Sequence, residues 1–180
     1  MGAALNKLTA AGMERLLLDL RDNPGGPLDQ AIAVSNRFLK RGQMIVYTRG
    51  RIQGADEDYR AVDQGSHMDL PIVVLVSRRS ASAAEIVSGA IQDHDRGLVV
   101  GEGTFGKALV QSVFPIGNDA GLALTTGRYY TPSGRLIQRP WDAAFDEYST
   151  YTFRPQDANR QHDPAQMKLT AGGRKVYGGG

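Results

Sequence analysis

The chain has 180 residues, enough for one domain with a sizeable core, and 21 basic against 19 acidic side chains leave a net charge of +2. So even a balance, with no basic stripe carrying interleaved aromatics, gives no ground for a nucleic-acid partner. The absence of cysteine removes disulfide, zinc-thiolate and thiol-nucleophile chemistry. No apolar run reaches transmembrane length, the first residues do not follow the signal-peptide pattern, and no repeat or heptad is present.

Residues 3–15, AALNKLTAAGMER, read as a helix that buries Leu5, Leu8 and Met13. Residues 15–20, RLLLDL, follow as a strand and run into Arg21-Asp22-Asn23-Pro24-Gly25-Gly26, where Asn-Pro and Gly-Gly are turn signals. Residues 27–40 form a helix with proline in its first turn; Ala31, Ile32, Val34, Ser35, Phe38 and Leu39 make its packed face. Residues 44–48 are a strand. The polar stretch 50–65, with Asp56-Glu57-Asp58, reads as a solvated loop without a role, and Gly65-Ser66-His67-Met68 continues it.

The next stretch organises the chain. Residues 72–76, IVVLV, are a buried strand, apolar and β-branched between breakers. Small residues lead into a helix with Ala83, Ile86, Val87, Ala90 and Ile91 on one face, closed by Gly97. A short strand, 98–100, passes into the loop GEGTFGK at 101–107. Residues 108–114 alternate as a strand that ends at Pro115. Residues 118–121 make a hairpin turn, 122–130 alternate again, and 131–134 turn the chain. Beyond Gln138 the sequence is polar and irregular, with a short strand expected at 148–153.

This order places Ser80 and Ser82 at a helix start and brings Lys107 back on a neighbouring strand end. A serine there lies beside unpaired backbone N–H groups and the positive end of the helix dipole, which can steady an oxyanion. Its hydroxyl needs a base. His67, His94 and His162 are the only histidines, each in a polar, turn-like setting. A lysine serves where burial populates the neutral amine, and Lys107, among Phe105, Gly106, Ala108, Leu109 and Val110, has the most apolar neighbours of any lysine. Against this, Ser82-x-x-Glu85 is also a capping box, whose serine needs no chemistry. Local chemistry does not choose between Ser80 and Ser82.

Other motifs give less. GEGTFG matches GxGxxG and residues 101–107 match GxxxxGK, but both require a helix next, and position 108 lacks the hydroxyl for Mg²⁺. Asp93-His94-Asp95 and His162-Asp163 lack the HExxH spacing, so no metal is expected.

DLRDNPGG at 19–26, SASAAEI at 80–86, GEGTFGK at 101–107 and TTGRYYTPSGRLIQ at 125–138 together resemble the C-terminal processing (tail-specific) peptidases, which use a Ser–Lys dyad. The motifs keep the family's order over most of residues 17–138. The resemblance selects Ser82 as nucleophile, twenty-five residues before Lys107 as base, and assigns Gln111 to orienting the amine. It implies an oxyanion hole from the amides of Ala83 and either Gly25 or Gly26. Ala108 stands where the family commonly has glycine.

By that resemblance the fold is α/β, with the repeated strand-strand-helix units of the ClpP/crotonase superfold, which does not by itself fix chemistry. Residues 1–180 correspond to the catalytic core, with 139–180 a polar irregular part, cut from a longer chain whose PDZ domain and N-terminal region are absent. The implied activity is a serine endopeptidase that clips proteins at or near unstructured C-terminal tails, without cofactor or nucleic acid. A homo-oligomer is admitted, and the setting is periplasmic, secreted or membrane-associated. The alternative is a non-catalytic peptide- or ligand-binding module on the same scaffold.

Overall fold

A computed structural model describes residues 1–51, 54–63, 65–117, 119–140, 149–153 and 162–180. It is a mixed α/β structure with one parallel and one larger antiparallel sheet. Helix α1 (Gly2–Ala10) leads into β1 (Leu16–Asp19), α2 (Leu28–Ser35), β2 (Met44–Gly50) and β3 (Glu57–Arg60). The central unit is β4 (Ile72–Val76), α3 (Ala83–Asp93) and β5 (Leu98–Gly101), followed by the long pair β6 (Leu109–Ile116) and β7 (Ala120–Tyr130). Two short strands, β8 (Lys168–Leu169) and β9 (Lys175–Val176), pair near the end.

β4 is the middle strand of the parallel sheet β1-β4-β5. Asp19 pairs with Leu75, and Val76 with Gly101. All three strands therefore end at the same edge. The loops that follow them, carrying Asn-Pro-Gly-Gly, Ser80-Ala81-Ser82 and Lys107, must meet there, where parallel α/β sheets open their crevices. Ile72, Val74 and Val76 face one side and join Phe38, Leu39, Ile45, Ile86, Val87 and Ile91 in the core. On the opposite side Leu17, Leu98 and Val100 are exposed. The antiparallel sheet runs β3-β2-β7-β6.

Several sequence expectations shift once packing is seen. The first helix stops at Ala10, because Gly12 turns the chain at φ +83°; Leu5 is buried, but Leu8 is exposed. The second helix gives way after Ser35 to tighter turns, Arg37 N–H to Val34 C=O at 3.2 Å and Phe38 N–H to Ser35 C=O at 3.0 Å, which drop Phe38 and Leu39 into the core. The acidic run is not all loop. Glu57 and Asp58 lie in β3, an edge strand recruited by β2, and Arg49 holds Asp58 at 3.0 Å. Helix α3 ends before Gly97, with Asp95 at φ 52° and Arg96 N–H returning to Ile91 C=O at 2.9 Å. Gly97 is needed because a Cβ there would lie 2.5 Å from the Ile72 carbonyl.

Pro115 does not stop β6, which pairs on through Ile116; β6 is an edge strand, where a missing N–H is tolerated. The strand partners close at Ile116 and Ala120, so the expected turn at 118–121 is shorter, with Asn118 outside the described residues. The strand expected at 148–153 begins at Tyr148, outside the described residues, and Tyr151–Phe153 is a 3₁₀ turn instead. The Arg139 guanidinium lies 3.4 Å from the Tyr151 ring centre, and the Tyr151 hydroxyl donates to Gly103 C=O at 3.1 Å.

Candidate active site

The first loop is braced before it reaches the serine. Asp19 and Arg21 pair at 2.7 Å, and the Arg21 hydrogen bonds bring the Asp19 carboxyl down to about 2. The Asn23 carbonyl accepts the Ala81 N–H at 2.9 Å, joining the loop to the serine turn. The Asn23 side chain accepts the Gly25 N–H at 2.9 Å. Gly25 sits at φ +100°, and a Cβ there would lie 2.7 Å from Ala81 C=O and 2.8 Å from both Ala83 N and Ser82 Cβ. Only glycine fits that close approach. Gly26 faces open space.

The two serines part company. Ser80 is fully buried; its hydroxyl donates to Leu20 C=O at 2.7 Å and accepts from Ser77 N–H at 2.9 Å. It is a structural knot between the first and second loops. Ser82 is only partly buried and caps α3 with φ 54° and ψ −115°. A non-glycine residue held there stores strain on the order of 1–3 kcal/mol and persists only when its surroundings over-determine it. Among the described residues the Ala83 N–H has no hydrogen-bond partner, as expected at the first position of a helix.

What holds Ser82 in place is Glu85. Its side chain, 1 % exposed, accepts four hydrogen bonds. Oε2 takes the amides of Ser82 at 2.8 Å and Lys107 at 2.9 Å, while Oε1 takes the Thr104 hydroxyl at 2.6 Å and the Gly106 amide at 2.7 Å. Burial pushes this carboxyl up, and the bonds from Thr104, Lys107, Gly106 and Ser82 pull against it. The capping-box reading of Ser82 and Glu85 is therefore correct but incomplete, since the glutamate also folds the GEGTFGK loop onto the helix start. A second brace joins the same loops outside, Arg78 to Glu102 at 2.7 Å.

Lys107 is partly buried and lines a cleft of about 410 Å³ with Asp22, Pro24, Arg79, Ala81, Phe105 and Phe153. Among the described residues no hydrogen bond joins its amine to the Ser82 hydroxyl or to Gln111. Gln111 is exposed on β6 beside a register shift at Val110/Gln111, opposite Thr125. Ala108 is fully buried, and its amide donates to Gln138 Oε1 at 2.9 Å, so alanine is accommodated at that position.

Sequence reasoning missed the backbone partners of the pair. Glu85 was visible only as a cap, and Tyr129 and Gln138 sit in a quoted motif without an assigned role. The Tyr129 hydroxyl reaches the Ser82 carbonyl at 3.1 Å and also donates to the Lys107 carbonyl. The acidic and histidine groups considered for metal are engaged elsewhere. Asp93 binds Ser133 and Arg135 at 2.6 Å each, His94 contacts Met44 C=O at 2.6 Å, and Asp95 pairs with Arg174 at 2.5 Å.

Fold and site together define an α/β protein with a strained, helix-capping serine and a lysine-bearing loop locked to one buried glutamate at the carboxyl edge of a parallel sheet. The model of peptidase family S41 matches residues 1–141, and the chain belongs to that family. It is 48 % identical over 171 residues to a carboxyl-terminal-processing protease of Picosynechococcus sp., covering 93 % of this chain and 41 % of that protein. It is 47 % identical over 133 residues to a carboxy-terminal-processing protease of Bartonella bacilliformis, covering 74 % of this chain and 30 % of that protein. The solved structure of a photosystem II D1 C-terminal processing protease superposes with a TM-score of 0.68 at 38 % identity, over 76 % of this chain and 35 % of that one. The chain thus spans less than half the length of these relatives.

Proposed function

We propose that this chain is the catalytic core of a serine endopeptidase that cleaves protein substrates at or near their C-termini, on a ClpP/crotonase-like scaffold and within a longer polypeptide. The observation that carries the proposal is the joint anchoring of Ser82 and Lys107 on Glu85 at the carboxyl edge of the sheet. A cap alone does not require the lysine loop to share its carboxylate.

In this reading Ser82 Oγ attacks the scissile carbonyl carbon, and its proton passes to the neutral Lys107 amine. The resulting ammonium then protonates the departing amine. Water, deprotonated by the same lysine, attacks the acyl-enzyme and releases the new C-terminus. Gln111 orients the lysine amine by family resemblance. The oxyanion is held by the Ala83 amide and a glycine amide of the Asn-Pro-Gly-Gly loop. Between Gly25 and Gly26, the second is favoured as donor, because the Gly25 amide is occupied by the Asn23 side chain. Gly25 then supplies the close approach. The substrate tail adds as an extended strand, with backbone pairing for affinity and side-chain pockets for preference. The apolar wall of the 410 Å³ cleft suits such a tail. By family resemblance alone, the setting in this reading is periplasmic, secreted or membrane-associated.

The test is cleavage of an unfolded reporter with an apolar C-terminal tail by the wild type, Ser82→Ala and Lys107→Ala, from neutral to alkaline pH. Loss of turnover in both variants supports the dyad. Turnover that survives Ser82→Ala overturns it. Tail binding without turnover, unchanged by Ser82→Ala even in a chain as long as the relatives, supports a non-catalytic binding module instead.

A further inference from the structure

Tyr129 lies on β7, far in sequence from the serine turn, and is 3 % exposed. Its amide donates to Ala108 C=O at 3.0 Å, which anchors it beside the lysine loop. Its hydroxyl reaches the Ser82 carbonyl at 3.1 Å and the Lys107 carbonyl. One O–H proton faces two carbonyl acceptors, so the bond is shared between them. Burial first, then the nearby Glu85 charge, push this hydroxyl well above the ordinary tyrosine value, which keeps it protonated and a donor at working pH.

The two partners of the dyad backbone are complementary. The Glu85 carboxylate accepts the amides of Ser82 and Lys107, and the Tyr129 hydroxyl meets the carbonyls of the same two residues. Each residue is held at both its N–H and its C=O. Tyr130, the next residue, offers a contrast: its ring stacks on Tyr47 at 5.2 Å between centres.

We propose that Tyr129 is a positioning residue of the catalytic pair, its hydroxyl coupling the backbone of Ser82 to that of Lys107. This rests on the dyad reading above. If the phenol were only core packing, phenylalanine would serve equally, because the ring contributes the buried apolar area.

The experiment compares the wild type, Tyr129→Phe and Tyr130→Phe. Each is measured for kcat and KM on the tail reporter and for the labelling rate of Ser82 by a fluorophosphonate, normalised to folded protein by near-ultraviolet circular dichroism. A displacement of reacting groups by a fraction of an ångström to one ångström costs up to about 100-fold. Tyr129→Phe is accordingly expected to lower kcat and the labelling rate by about 10- to 100-fold, with KM changed by less than about twofold. Tyr130→Phe leaves both unchanged. Difluorotyrosine at position 129, which retains the O–H, restores the rate and serves as the working comparison should the phenylalanine variant fold poorly.

A Tyr129→Phe protein that is folded, turns over and labels like the wild type overturns the proposal, as does a difluorotyrosine protein as slow as the phenylalanine variant. A wild type that neither labels at Ser82 nor turns over overturns the dyad reading and the tyrosine proposal with it.

Discussion

The backbone amides of Ser82 and Lys107 end on a single atom, Oε2 of Glu85, at 2.8 and 2.9 Å. Residues from two different loops are thereby held by one buried carboxylate, and motion of either loop breaks a hydrogen bond to a charge. This makes Glu85 the residue through which the helix cap and the lysine loop depend on each other.

Glu85→Gln keeps the shape but leaves one carbonyl oxygen where two oxygens accepted four donors. Unsatisfied buried groups cost about 1–3 kcal/mol each, so the variant is expected to lose about 2–4 kcal/mol in urea unfolding. Turnover per folded molecule falls by about 100-fold as the two loops lose register. A variant of wild-type stability and rate would remove Glu85 from this role.

Two carboxyls act oppositely on acid stability. Asp19 is brought down from 3.8 to about 2 by Arg21, so its contribution is present above 3.8 and is lost as pH falls through the lower value. Glu85 is pushed up from 4.5, chiefly by burial, so its contribution is fully present below 4.5 and fades as pH rises through the folded value. The stability difference between wild type and Asp19→Asn should shrink on acidification towards pH 2. That between wild type and Glu85→Gln should shrink as pH rises above 4.5. Unfolding curves across pH check both, and a slope of the opposite sign in either rejects its assignment.

The two glycines of the first loop should respond differently. Gly25→Ala drives a Cβ within 2.7–2.8 Å of the serine turn from a φ of +100°, and is expected to lower both Tm and activity sharply. Gly26→Ala meets nothing within 4 Å and keeps its N–H, so Tm is expected to stay within a few degrees and activity within about tenfold. A Gly25→Ala enzyme of normal rate would argue against the close approach.

Ser80→Ala and Ser82→Ala should separate stability from chemistry. Removing the Ser80 hydroxyl orphans Ser77 N–H and leaves Leu20 C=O only the Asn23 N–H at 3.3 Å, and costs about 1–3 kcal/mol, with most activity per folded molecule retained. Ser82→Ala lowers Tm by only a few degrees, as loss of a helix-capping hydroxyl does, and abolishes turnover. The reverse pattern would exchange the roles of the two serines.

Much of the fold was legible in the chain. β-branched runs such as 72–76, the apolar face of residues 83–91 and the glycine and proline signals specify strands, helix and turns through local sterics and burial. β3 was hidden because a polar edge strand is made by the hydrogen-bonding needs of its neighbour, not by its own apolar pattern. The short end of α2 was hidden for a related reason, since burial of Phe38 and Leu39 outweighs continued helix.

The sequence by itself determined the α/β class, the order of the motifs and the membership that their spacing implies. Its local chemistry did not choose between Ser80 and Ser82, although the motif resemblance selected Ser82, and it showed Glu85 as a simple cap. The tertiary structure gave the physical ground for separating the serines, by burying Ser80 between Leu20 and Ser77 while leaving Ser82 partly exposed in a strained turn. Only it joined Ser82 to Lys107 through Glu85 and Tyr129. The physical reason is range. Propensity and patterning act over a few residues, whereas a buried carboxylate or phenol must find partners wherever the packed chain brings them.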